Sequence, residues 1–286
     1  PVVGTRRGPE RIGPLELTET DGLGLARRRR RVGSPTPVMV TPRIVPLAPL
    51  AHMTAESGLS VADAQRSGQG SDNLIPRPYA PGDSMRRIHW RASARLGDLM
   101  VREEEQEASP AAVIVFDRAA ARWSPTAVTV GGDDAFEAAV TLCASAAWRL
   151  WLDGHIVEVV DAAGVRIATL GQQAATAQDD REELLRAFTS IVAHGNDSLS
   201  GLGEHLGHSP TGTLMIVTGL LTTGDTQTLS GLARRGRLPL LFASRVEQAT
   251  LQSAANSGWR AAALQERADV AWMSALSDLV EVSERA

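Results

Sequence analysis

A chain of 286 residues, 43% hydrophobic and 22% charged, carries enough apolar material for one large core or for one core plus a smaller module. Its formal net charge of -4 excludes a global pull toward nucleic acid or anionic lipid, so any electrostatic partner must be met by a local patch. The single cysteine, Cys143, excludes an intrachain disulfide and a multi-cysteine zinc site, and no run reaches the ~18 apolar residues of a membrane-spanning helix.

The chain opens on "PVVGTRRGPERIGPLELTET", without an initiator methionine or a signal-peptide pattern, and reads as an excised fragment. Residues 1–50 hold short runs of strand character, "GPLELTET" and "PVMVTPRIVPL", with prolines and glycines that deny a long helix. They are expected to form a partial β-sandwich-like module. Between them lies "ARRRRRVG", five consecutive arginines, Arg27 to Arg31, with no aromatic residue nearby to stack on bases. A membrane-facing or solvated hairpin is therefore preferred over a nucleic-acid surface. Residues 51–109 begin polar and small, "SGLSVADAQRSGQGSDN", as a linker does, and run on into an arginine-rich stretch.

From 110 to 286 strands alternate with helices. "AAVIVFD" is a short apolar run ending in Asp117, the pattern of a strand buried on both faces. "DDAFEAAVTLCASAAWRLWLDG" spaces Phe136, Val140, Cys143, Ala147 and Leu150 as one helix face, with an aspartate cap and Gly154 as the stop, so Cys143 reads as a small core residue. "HIVEVVD" and "VRIATL" are expected strands, "DREELLRAFTSIVA" a helix, "GTLMIVTG" a strand, then a helix after Gly224, the strand "LPLLFASR" and a last helix from Asp269 to about Val282. Such alternation implies an α/β fold: a mostly parallel, Rossmann-like sheet with helices on both faces.

The stretch "RPYAPGDSMRRIHWRASARLGDLMVREEE" fixes Tyr79, Pro81, Gly82, Asp83, Arg86, Arg87, Ile88, Trp90, Ala94 and Arg95 together. With the apolar strand that comes after it, and with "GPLELTETDGLGLARRRRRV" and "VMVTPRIVPL" upstream, it resembles the bacterial family called domain of unknown function 58. The resemblance covers most of the chain. It implies a von Willebrand factor A-like domain behind a membrane-anchored β module, a place at the cytoplasmic face of the inner membrane through an N-terminal segment upstream, and a MoxR-type AAA+ ATPase as partner. It points to an adaptor rather than to an enzyme.

Read by their chemistry alone, Pro81 and Gly82 form a turn, and Asp83 binds nearby backbone amides or caps the next short turn. Arg86, Arg87, Arg91 and Arg95 gather planar forks near Asp83, Asp98 and Glu103 to Glu105, with Trp90 as an apolar anchor. Two readings stay open: an internal clasp, or an exposed dock for an acidic face or a phosphate.

Asp117 carries the other question, because a parallel sheet binds ligands at the carboxyl ends of its strands. The von Willebrand factor A fold builds a magnesium site there on a DxSxS loop, and this chain has "DRAAA". The methyls of Ala119 and Ala121 cannot replace two hydroxyl ligands of an octahedral Mg²⁺, so a degenerate site without metal or other cofactor is expected. Thr218 and Gly219 stand where the fold often presents a further aspartate, and Asp117 is expected to accept backbone or arginine hydrogen bonds. "EHLGH" lacks the HExxH order, so Glu204, His205 and His208 are read as a solvated loop.

No catalytic residue is assigned. Two alternatives remain: a metal-dependent or hydrolytic enzyme centred on Asp117, and, more weakly, nucleic-acid binding through Arg27 to Arg31 and the Arg86 to Arg95 cluster, which is not expected.

Overall fold

The computed structural model describes residues 4–50, 75–78, 93, 95, 98, 100–103, 111–171, 176–195, 199–206 and 211–283. The described residues of Pro1–Pro49 and Pro110–Asp278 form one compact unit, and those of Leu50–Ser109 and Leu279–Ala286 a second.

The first unit begins with two antiparallel pairs. β1 (Gly8–Ile12) pairs with β4 (Thr36–Val40), and β2 (Leu15–Thr20) pairs with β3 (Arg27–Val32) as a separate hairpin. The run after β4 lies on the larger part of the unit. Its Pro42 and Leu47 are buried, Val45 N donates to Ser145 Oγ, and the Trp272 indole donates to Ala48 O.

The larger part is a six-stranded sheet of β7 (Ala111–Phe116), β8 (Ile156–Asp161), β9 (Arg166–Leu170), β10 (Thr211–Leu220), β11 (Gly236–Arg245) and β12 (Arg260–Ala263), in the order β12-β11-β10-β7-β8-β9. All neighbours run parallel except β9, which returns antiparallel to β8. That exception has a local cause. Asp161 accepts from the Ala163 and Val165 N–H groups, and Gly164 takes the left-handed conformation that closes the short turn.

Helices flank the sheet on both faces, as the alternation in the sequence implies. They are α1 (Asp134–Leu152), α2 (Ala177–Thr189), α3 (Leu202–His205), α4 (Thr223–Ala233), α5 (Gln248–Asn256) and α6 (Ala268–Ser283). Because strand side chains alternate, Val115, Ile216 and Leu241 pack with Leu229, Leu232 and Ala254 on one face. On the other, Phe116 meets Phe136 of α1 and Phe242 stacks on Trp272 of α6. Cys143 is fully buried in α1, where burial pushes its thiol well above the ordinary value, in keeping with a core residue.

Two expectations need correction. Within residues 51–109, read as a linker and an arginine-rich stretch with no strand expected, β5 (Ile75–Pro78) pairs antiparallel with β6 (Met100–Glu103). Among the described residues each strand of this ribbon pairs along one edge only, which tolerates the missing donors of Pro76 and Pro78. The supposed loop around Glu204 contains a helical turn, α3, because Leu202 is fully buried and anchors it.

Candidate functional site at the carboxyl edge of the sheet

The strand order reverses between β7 and β10, and the crevice outside the carboxyl ends at such a reversal is where open α/β sheets bind ligands. Asp117 comes directly after β7 there, beside Thr218 of β10, and both are fully buried. Parallel pairing continues one step past β7 through Asp117 N donating to Val217 O at 2.8 Å, which fixes the aspartate's backbone.

The loop after Asp117 folds back over it. Trp123 packs edge-on against Phe116 and Phe136, and its indole N–H donates to Asp117 O at 2.9 Å. This anchor shapes the turn Ala120–Arg122 and brings Arg122 in over the crevice. Gly219 makes the closure possible: a Cβ on it would stand 2.1 Å from Arg122 O and 2.7 Å from the Trp123 ring.

Each oxygen of Asp117 has a partner. Oδ1 accepts from Ala119 N at 3.0 Å, and Oδ2 accepts the Thr218 hydroxyl at 2.7 Å and faces Arg122 Nε at 3.1 Å. Burial pushes the Asp117 carboxyl above its ordinary value, while the Thr218 hydroxyl, the Ala119 N–H and the Arg122 charge pull it back.

Arg122 then spans to a second carboxylate. Its Nη1 donates to Leu220 O and Asp225 Oδ2 at 2.7 and 2.9 Å, and its Nη2 to Asp225 Oδ1 at 2.8 Å. Asp225 is also the third residue of α4, where it completes a reciprocal cap with Thr222. Burial raises the Asp225 pKa, but the Arg122 fork and the Thr222 hydroxyl and N–H outweigh it and hold the carboxyl at about 2.

Arg118 points elsewhere. Its Nη2 donates to Asp161 Oδ2 at 2.6 Å, and its buried Nε makes no hydrogen bond.

The chemistry open to this cluster is narrow. Asp117 touches a hydroxyl that donates to it and a guanidinium that keeps its proton at any physiological pH, so among the described residues it has no partner with which to relay one. Among the described residues, the side chains around Asp117 do not make a divalent-cation site either. Ala119 is buried and Ala121 exposed, neither offers an oxygen from its side chain, and a cation approaching Oδ2 would meet the Arg122 charge. Among the described residues, no three His, Cys, Asp or Glu side chains converge as a metal site would require.

The family model described as Protein of unknown function DUF58 matches residues 76–238, more than half of the chain. The chain belongs to this family. No curated protein matches it. The DUF58 match takes in both the arginine stretch and the Asp117 loop. Of the stretch, Tyr79, Pro81, Gly82, Asp83, Arg86, Arg87, Trp90 and Arg91 lie outside the described residues, while Arg95 is helical and exposed. Glu204 and His205 fall on α3, where the His205 ring hydrogen-bonds Gly201 O, and His208 is outside the described residues. No helix among the described residues is long and apolar enough to cross a membrane.

Three residues at work in this unit escaped the sequence reading: Arg122, Asp225 and Arg7. The pattern "TTGD" signals Asp225 as a capping residue, but nothing local signals its pairing with Arg122. Arg7, just before β1, sends Nε and Nη2 to the two carboxylate oxygens of Glu137, and its Nη1 and Nη2 also reach the carbonyls of Phe188, Thr189 and Ile191 at the end of α2.

Proposed function

We propose that this DUF58 chain is a non-catalytic interaction module, an adaptor for a MoxR-type AAA+ ATPase at the cytoplasmic face of the bacterial inner membrane. In this reading, residues 1–50 are a partial β-sandwich-like module, 51–109 a connector with the arginine-rich signature, and 110–286 a von Willebrand factor A-like domain. The supporting observation is the closed crevice at the strand reversal. The place where an α/β sheet would hold a reacting group is occupied by the chain's own Arg122, bridging Asp117 and Asp225. A site sealed in this way suits a scaffold. The family resemblance supplies the partner and the membrane setting.

Two measurements test the reading. A MoxR-type ATPase encoded beside this chain should be retained by it in a pull-down and give a saturable isotherm in solution. Calorimetry with Mg²⁺ and Mn²⁺ should show no saturable heat. A 1:1 metal isotherm that Asp117→Ala abolishes would overturn the choice of adaptor over metal enzyme, and failure to retain any such ATPase would remove the partner.

A further inference from the structure

The β2–β3 hairpin does no packing work. No residue from Leu15 to Val32 is buried, and among the described residues the two strands pair only with each other. Its turn is nevertheless well made: Asp21 N donates to Ala26 O, Ala26 N donates back to Asp21 Oδ1, and Gly24 takes the left-handed conformation. At the apex stand two leucines, Leu23 and Leu25, 81% and 83% exposed. Directly behind them come Arg27 to Arg31, five arginines against the three carboxylates of Glu16, Glu19 and Asp21. Glu19 and Glu16 are taken by Arg30 and Arg31 at 3.4 Å each, and Asp21 is tied to the turn. Arg27, Arg28 and Arg29, nearest the tip, have no ion-pair partner among the described residues.

We infer that this hairpin is a contact site for an anionic phospholipid surface, with Leu23 and Leu25 entering the interface and Arg27 to Arg29 holding the headgroup phosphates. The spacing fits. At roughly 3.4 Å per residue, Arg27 to Arg29 lie about 7 to 14 Å behind Leu25, the distance from the shallow acyl boundary back through the headgroups. Charge complementarity names the occupant, because a chain of net charge -4 concentrates exposed guanidinium groups here, next to the two most exposed leucines among the described residues. Single-stranded nucleic acid would use the arginines but offers the leucines nothing, and the hairpin has no aromatic ring for a base. The inference goes beyond the adaptor reading and does not depend on it.

The test is vesicle sedimentation with the whole 286-residue chain, comparing phosphatidylcholine alone with equimolar phosphatidylcholine and phosphatidylglycerol. The chain should sediment only with the anionic vesicles. Replacing Arg27, Arg28 and Arg29 by Gln should lower partitioning about 100-fold, from roughly 1 kcal/mol per arginine near an anionic surface. Leu23→Ser with Leu25→Ser should lower it about tenfold with every arginine in place, from partial loss of two buried leucines. Because none of these side chains is packed, melting temperatures verify that each variant is folded. Equal binding to both vesicles overturns the inference, as does an unchanged leucine variant, which would mean charge adsorption alone. So does binding to RNA or to an acidic protein without binding to vesicles. Retention of the ATPase by the same variants is scored separately, so failure of either idea is visible on its own.

Discussion

Arg7, Arg118 and Arg122 have side chains only 3%, 13% and 16% exposed, and each ends on a carboxylate. Arg30 and Arg31 in the hairpin are 55% and 75% exposed, and their carboxylates stand 3.4 Å away. One residue type thus serves two opposite ends in the same compact unit. In the sheet region, a buried guanidinium with its hydrogen-bond donors matched to fixed acceptors locks a loop or a chain segment in place. In the hairpin the same group stays hydrated, contributes little to folding and remains available to something outside the chain. The number of arginines in a run therefore says less than how many acceptors the fold brings to each.

That contrast is most exposed to failure at Arg7. Arg7→Ala takes the fork away from three carbonyls at the end of α2 and from the Glu137 carboxylate, which keeps the Gly131 N–H, and should cost about 3 to 5 kcal/mol in denaturant unfolding. Arg7→Lys should recover little, since one ammonium cannot reproduce a fork that serves four residues. Arg122→Ala comes next, at about 2 to 4 kcal/mol, because it leaves Asp117 and Asp225 without the charge between them. If either variant melts as the parent does, the buried arginines are not fasteners. Gly219→Ala should cost about 1 to 3 kcal/mol, as the new methyl must displace Arg122 O and the Trp123 ring.

Acid probes the locked end of the contrast at Asp225. Its folded pKa of about 2 lies below the ordinary 3.8, so it contributes stability that is fully present above pH 3.8 and is lost as pH falls toward 2. At ~1.4 kcal/mol per unit the loss is at most about 2.5 kcal/mol, and nearer ~1 once solvent screening of this partly open carboxylate is counted. Asp117 works in the opposite direction: burial raises its pKa, so the folded state gains on protonating it and offsets part of that loss. Unfolding measured between pH 5 and pH 2 should show the Asp225 share shrink in Arg122→Ala, leaving only the part held by the Thr222 hydroxyl and N–H. An unchanged acid slope in that variant would mean that the ion pair is not what holds Asp225 ionised.

Much of this fold was legible because its signals are local. The apolar run before Asp117, the helical spacing of Phe136 through Leu150 and the strand "GTLMIVTG" each specify an element from a short window of sequence. Even the neighbourhood of Asp117 and Thr218 could be read, since both stand at the carboxyl ends of strands in a parallel sheet. The closure could not be read. Arg122 is one arginine among many in sequence, and only the Trp123 anchor and the missing side chain of Gly219 bring it over Asp117 to reach Asp225, 103 positions away. Arg7 is still less legible, its partners lying 130 to 184 positions on. The ribbon of β5 and β6 escaped for a different reason: prolines at 76 and 78 argue against a strand unless it pairs along only one edge.

At the hairpin the change in stability should be slight, and its slightness is what separates the two kinds of arginine. Replacing Arg27, Arg28 and Arg29 together by Gln removes three charges from positions with no ion-pair partner among the described residues, so unfolding should shift by no more than ~0.5 kcal/mol. A small gain is the favoured sign, because three like charges crowded on one strand repel one another and the substitution relieves them. The gain should shrink as salt rises, since exposed charges are screened. Glu19→Gln offers the counter-experiment: it takes away the carboxylate that stands 3.4 Å from Arg30 and should lower stability slightly, again only at low salt. If the triple variant instead loses stability on the scale expected for Arg122→Ala, the arginines of the hairpin are fastened within the fold as Arg7 and Arg122 are, and the division between locked and available guanidinium groups collapses.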